Sequence, residues 1–241
     1  MLLQACLNGS RQRGEHAALP LTPAEIAPDA AVAGVDAVHV HPKDDDGTDT
    51  LAAERVAAVV SAVRAAVPGL PVGVTTGAWA LPDPDGRVAA VRSWTMLPDF
   101  ASVNWHEGGP EQVAAALLDC GVGVEAGLWQ ADAVDAWSVS PLRDRCLRVL
   151  VELPDGPDEA EVESLADDLL RRLGDRTPVL LHGEGSSCWP ALRSAVRRGL
   201  STRIGLEDVL ELPDGTPAPD NAALVRAART ILRGRPVGTS G

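Results

Sequence analysis

The sequence predicts an α/β fold, a TIM (β/α)8 barrel formed by a single domain over residues 1–241. Three observations carry that expectation: eight short apolar runs, amphipathic stretches between them, and a length of 241 residues, close to the roughly 250 typical of the fold. The runs are 2–7, 37–41, 70–75, 100–104, 122–128, 146–153, 178–182 and 202–206. Short apolar runs bounded by turn residues read as buried strands of a parallel sheet. Helical spacing is clearest over 51–66, 110–119, 160–173, 189–198 and 221–232, and weaker over 131–145. Segment 83–93 reads as a truncated connection. A doubly wound open sheet uses the same alternation and is the competing arrangement.

Charge and cysteine usage narrow the function. With 34 acidic against 21 basic residues the formal charge is −13, a surface that repels phosphate backbones and anionic membranes, so no nucleic-acid or membrane partner is expected. Cys6, Cys120, Cys146 and Cys188 are scattered, with no Cys-x-x-Cys spacing and no secretory leader. Free thiols in a reducing cytoplasm are expected. No apolar run approaches the eighteen or so residues that span a bilayer.

The most informative stretch is Val38, His39, Val40, His41, Pro42. Alternate side chains of a strand share a face, which puts the two imidazoles on one side with Cβ atoms roughly 6–7 Å apart. One divalent ion fits between them. Far downstream, Arg203, Ile204, Gly205, Leu206, Glu207, Asp208 ends another run with an arginine and two carboxylates, groups that can complete a metal site and move protons beside it. If the barrel forms, Thr75 and Thr76, Ser102 and Asn104, and His182 also end strands at the same mouth, with Glu125 inside the fifth strand.

Each feature has a plainer reading. His-x-His can be buried polar packing, Glu207 and Asp208 can open a helix, Arg203 can be a structural ion pair, and the hydroxyls can satisfy nearby backbone. The run Asp44, Asp45, Asp46, Gly47 reads as a solvated turn. The glycine-rich turn at His182, Gly183, Glu184, Gly185, Ser186, Ser187 precedes a helix and can hold an anion such as a CoA phosphate or a carboxylate.

Ala5–Ser10, Leu21–Ile26, His39–Pro42, Arg203–Asp208 and Asp220–Ala222, in this order, resemble the β-keto acid cleavage enzymes, the family typified by the 3-keto-5-aminohexanoate cleavage enzyme. The resemblance implies a zinc-bearing barrel that transfers acetyl from acetyl-CoA to a β-keto acid by a retro-Claisen route, giving acetoacetate and a new CoA thioester. It places the zinc ligands on His39, His41 and Glu207, and the catalytic groups on Arg203, Asp208 and Glu125. It places substrate contacts on Thr75 and Ser102, and the strand-end residues Thr76, Asn104 and His182 are expected to join them. It also implies a homo-oligomer, a tetramer or dimer.

Two departures from the family pattern stand out. Its Glu-x-Glu in the fifth strand leaves Glu125 matched and Gly127 where the second, catalytic carboxylate belongs. Its glycine-rich loop after strand six, which seats CoA, is replaced by Leu153, Pro154, Asp155, Gly156, Pro157. Alternatives to the acetyl transfer are therefore a CoA-independent zinc lyase or hydrolase acting on a small oxo acid, and a non-enzymatic barrel that binds a metal or metabolite.

Overall fold

A computed structural model describes residues 1–31, 34–174 and 177–234. Eight parallel strands, β1 (Leu3–Cys6), β2 (Ala37–Val40), β3 (Val72–Thr75), β4 (Phe100–Asn104), β5 (Gly123–Leu128), β6 (Arg148–Leu153), β7 (Val179–Gly183) and β8 (Thr202–Ile204), pair in the order β7-β6-β5-β4-β3-β2-β1-β8. The open edges of β7 and β8 meet where Leu181 N–H donates to the Ser201 carbonyl at 2.9 Å and Ser201 N–H to Val179 at 3.3 Å. The sheet is thus a nearly closed TIM barrel.

Eight helices alternate with the strands: α1 (Pro23–Ala30), α2 (Ala53–Ala66), α3 (Pro84–Ser93), α4 (Pro110–Asp119), α5 (Ala131–Ser138), α6 (Glu159–Leu173), α7 (Cys188–Arg198) and α8 (Asn221–Arg233). Period-two alternation divides the strand residues. One phase (Val38, Val40, Val72, Val74, Val124, Ala126, Val149, Val151, Ile204) packs outward with helix residues such as Val56, Val60, Leu117 and Leu224 in one core. Apolar area removed from water there is the main stabilising term. The other phase, with Gln4, His39, Glu125, Glu152, His182 and Arg203, fills the inside of the barrel, where these polar groups are buried.

Two helix expectations are corrected. Segment 83–93 is a ten-residue helix, α3, because the Asp83 side chain caps Gly86 N–H and Pro84 begins the first turn, an N-terminal arrangement that fixes helix entry. The helix read over 131–145 stops at Ser138; Pro141 follows, which disfavours helical backbone at Ser140, and only a short 3-10 turn forms at Arg143–Arg145. Helix α1 starts from a reciprocal capping box, Thr22 with Glu25.

Strand β8 ends at Ile204, two residues earlier than the apolar run, for a steric reason. A Cβ on Gly205 would lie 1.7 Å from the Cys6 carbonyl oxygen, so glycine alone allows β8 to close on β1 while the chain turns inward. Glu207 and Asp208 lie on that turn and open no helix. Gly9, at φ +55°, gives way on the other side: a Cβ there would meet Glu207 Cγ at 2.5 Å.

Candidate active site

His39 and His41 project from β2 and its end toward the turn after β8. Glu207 Oε1 lies 3.6 Å from His41 Nε2 and 3.9 Å from His39 Nε2, and one ligand atom from each of the three residues falls within 4.8 Å of the others. The two imidazole rings meet edge to face at 5.3 Å between centroids. Burial holds the His39 imidazole down at about 3, which leaves it neutral with one ring nitrogen free to donate a lone pair. For His41 the same burial is outweighed by the Glu207 and Asp49 carboxylates, which hold it up at about 9.

This donor set fits a divalent ion. Glu207 Oε2 and His39 Nδ1 are buried without a hydrogen-bond partner, a costly arrangement unless something else satisfies one of them. Asp49 Oδ2 takes the far side of His41, 2.6 Å from Nδ1, the second-layer carboxylate that fixes a ligating imidazole and directs Nε2 into the site. Lys43 Nζ holds the other Asp49 oxygen at 2.5 Å, and Trp79 Nε1 donates to Oδ2 at 2.8 Å. Asp49→Asn is expected to weaken metal affinity about 10–100-fold while leaving the fold intact, measurable by competition with a chelating dye; unchanged affinity would remove Asp49 from the site.

Beside the three residues runs a buried ionic chain. The Arg203 guanidinium, 4% exposed, lies 3.0 Å from Glu207 Oε1 and donates to Asp208 Oδ1 at 2.8 Å. Its Nε donates to His182 Nδ1 at 3.1 Å, and Cys6 Sγ donates to the other Asp208 oxygen at 2.7 Å. Burial pushes the Asp208 carboxyl up despite Arg203, whereas Glu207, flanked by Arg203, His39 and His41, is held well below the usual carboxylate range even though burial opposes it. The two adjacent carboxyls are thus shifted in opposite directions.

His39, His41, Arg203 and Glu207 face a cavity of about 260 Å³ at the strand ends, bordered also by Ser10, Trp79, Ser102, Asn104 and Trp129. A family model for the beta-keto acid cleavage enzyme matches residues 1–128 and 145–239 of the chain. The chain belongs to the beta-keto acid cleavage enzyme family.

Curated relatives include the 3-oxoadipate:acetyl-CoA acetyltransferase of Cupriavidus necator, 27% identical with 99% of this chain and 91% of the relative covered. The 3-keto-5-aminohexanoate cleavage enzyme of Acetoanaerobium sticklandii is 24% identical, with 99% and 94% covered. Among solved structures, ObcA in ternary complex with a C4-CoA adduct and oxalate superposes with a TM-score of 0.67 at 21% identity over 90% of this chain. That likeness is one of fold, and this chain spans 64% of the ObcA chain.

In this beta-keto acid cleavage enzyme family member, the structure gathers His39, His41, Glu207, Arg203, Ser102 and Asn104 around one cavity, with Asp208 bordering the adjoining recess. Other expected site residues lie elsewhere. Glu125 sits deeper in the barrel, where Arg148 Nε donates to it at 2.5 Å and Gln4 Nε2 at 3.4 Å; its place is in a buried ion pair, away from the cavity lining. Thr75 Oγ1 accepts from Gly77 N–H, and Thr76 Oγ1 donates to the Ser102 carbonyl, so both hydroxyls serve the backbone. His182 stands behind Arg203, 1% exposed.

Gly127 is filled by its neighbour. It pairs with Asn104 across β4 and β5, and a Cβ there would lie 2.3 Å from Asn104 Oδ1. Asn104 is fixed in turn by donating Nδ2–H to Glu107 at 2.9 Å, and Glu107 is held by Arg87 at 2.6 Å. Gly127→Glu is therefore expected to cost about 1–3 kcal/mol through overpacking and to leave activity unrestored, as denaturant unfolding and a rate assay would show. A stable and faster Gly127→Glu would mean that Asn104 yields without consequence.

Sequence reasoning missed Glu152, Glu184 and Asp49. Glu152 and Glu184 line the same cavity. Glu152 had a visible signal, a carboxylate inside the apolar run of β6 in step with Arg148 and Leu150; Asp49 and Glu184 lie in loops and gave none. Burial and the hydrogen-bonded Glu152 carboxyl push Glu184 up to about 8. The anion-binding turn after β7 is occupied by the protein itself: Asp155 Oδ1 accepts from Ser186 N–H at 2.7 Å and from Ser186 Oγ at 2.8 Å.

Proposed function

We propose that the protein is a metal-dependent β-keto acid cleavage enzyme of the acyltransferase type, using acetyl-CoA. The observation that carries this reading is the convergence of His39, His41 and Glu207 beside the Arg203–Asp208 pair in a member of this family. The curated relatives support it by name, since both act on β-keto acids and one uses acetyl-CoA. A divalent ion held by His39, His41 and Glu207, zinc in this reading, would supply Lewis acidity to the keto and carboxylate oxygens of the substrate.

The chain's own groups do the rest. Arg203, its charge fixed by Glu207 and Asp208, orients the reacting carbonyl oxygens through charge-assisted hydrogen bonds. Asp208 takes the proton from the carbon between the keto and carboxylate groups. His182 positions Arg203 from behind; Ser102 and Asn104 contact substrate, with Thr75 and Thr76 bracing the β3 end beside them. In the balanced reaction that carbon bonds to the acetyl carbonyl carbon, its bond to the substrate's keto carbon breaks, and the CoA thiolate passes from the acetyl group to the released acyl group. The proton returns to the same carbon, and the products are acetoacetate and a new thioester.

A second reading, cleavage without CoA, is favoured by Asp155, whose carboxylate fills the turn where an anion would otherwise sit. One experiment separates the two: metal-loaded protein is incubated with β-keto acids, with and without acetyl-CoA, and acetoacetate is assayed. Acetoacetate formed only with acetyl-CoA supports the first reading; turnover without any thioester supports the second; no turnover overturns both. Metal analysis of the purified protein tests zinc. The reading also entails a cytoplasmic homo-oligomer, a tetramer or dimer, which light scattering tests for assembly. Among the described residues, no helix is long and apolar enough to cross a membrane.

A further inference from the structure

Trp79 stands at the rim of the cavity and is 46% exposed, yet its one polar atom turns inward. The indole Nε1–H donates to Asp49 Oδ2 at 2.8 Å, the same oxygen that lies 2.6 Å from His41 Nδ1. The other Asp49 oxygen belongs to Lys43. An indole N–H can only donate, and at a rim water could satisfy it. Here it is directed at the carboxylate that backs a metal ligand.

The ring face makes a second contact. The indole lies nearly parallel to the His41 imidazole, with 9° between the planes and 5.9 Å between centroids, an offset stack. His41 therefore meets Trp79 twice, once through its ring plane and once through the carboxylate that the indole N–H helps to hold. With both fixed, Nε2 is left to face Glu207 Oε1, 3.6 Å away. His39 has no such support, since its Nδ1 is buried without a hydrogen-bond partner among the described residues.

The chain around Trp79 favours this pose. A Cβ on Gly77 would lie 2.3 Å from the indole Cζ2, so glycine makes the room into which the ring folds back. Ala78 N–H donates to Glu107 Oε2 at 2.9 Å, and Glu107 is held in turn by the buried Arg87 at 2.6 Å. The residue that carries the indole is thus anchored beside a buried ion pair.

Resting on the metal site of the proposed function, we infer that Trp79 is a positioning residue for the ion: it sets the plane of His41 by stacking and the place of Asp49 by its N–H. Trp79→Phe keeps a ring face and removes the donor, whereas Trp79→Ala removes both. The metal-free full chain is titrated with zinc in competition with a chelating dye. Trp79→Ala is expected to bind the ion about tenfold more weakly than wild type, within the range for groups that back a ligand, with Trp79→Phe in between. Because the N–H acts through Asp49, the two sites are expected to couple, so that in an Asp49→Ala background Trp79→Phe changes affinity by less than about twofold.

Unchanged affinity in folded Trp79→Ala overturns the inference, and so does a Trp79→Phe effect of the same size with and without Asp49. If circular dichroism shows that either alanine variant fails to fold, Trp79→Phe in the otherwise wild-type chain decides: weaker binding supports the assignment, and wild-type affinity overturns it. Wild-type protein that binds no zinc defeats the metal site itself, a result distinct from a zinc-binding site that tolerates both Trp79 variants.

Discussion

The double variant His39→Ala, His41→Ala is expected to purify without its divalent ion while keeping the barrel. It removes two of the three converging ligands and leaves Glu207, whose carboxylate would still be held by Arg203 at 3.0 Å. Loss of a residue merely behind a ligand costs about 10–100-fold in metal affinity, so loss of both imidazoles is expected to exceed that range. The fold should survive because the outward phase of β2, Val38 and Val40, carries its share of the core, and Asp49 keeps its contact with Lys43 at 2.5 Å. Metal analysis and circular dichroism on the same preparation check both halves. Full metal retention would remove the site, and with it the proposed chemistry.

Arg203→Ala is expected to have the second large effect, on stability and on rate together. The guanidinium is buried between Asp208 and Glu207 and also engages His182. Deleting one partner of a buried ionic pair costs about 3–5 kcal/mol, because the remaining charge keeps its desolvation penalty. Arg203→Lys is expected to rescue little, since an ammonium cannot reproduce the planar fork. The companion Asp208→Asn isolates the chemistry: it keeps side-chain volume and bound metal, and is expected to lower kcat about 10²–10⁴-fold through loss of the base. Unchanged turnover in Asp208→Asn would take the proton-transfer role away from it, whatever Arg203→Ala does to stability.

The same ionic chain separates residues that the sequence treats alike. Asp208 and Glu125 are both buried carboxylates near arginines, yet Asp208 borders a solvent-connected recess while Glu125 is capped by Arg148 and Gln4 inside the barrel. Position within the strand explains the difference. Glu125 pairs with Ser102 and Arg148, four residues short of Trp129, which borders the cavity just past the end of β5. Gly127 reads in one dimension as a lost catalytic group; in the fold it is the space into which Asn104 Oδ1 fits.

The strand order, most of the helices between the strands and the shared face of His39 and His41 were legible in the sequence by itself, because each depends on periodicity over a few neighbouring residues; α1 and α3 were not, since capping residues rather than a long apolar stripe begin them. The Arg203–Asp208 segment was legible too, as a cluster of charges at the end of an apolar run. The tertiary structure alone decided that Asp49 backs His41, that Asp155 fills the turn after β7, and that Glu152 and Glu184 share a wall of the cavity. Those contacts depend on strand register around a closed sheet and on the paths of loops, which bring together residues from 8 to 32 positions apart in the chain, and no local pattern records which of them will meet.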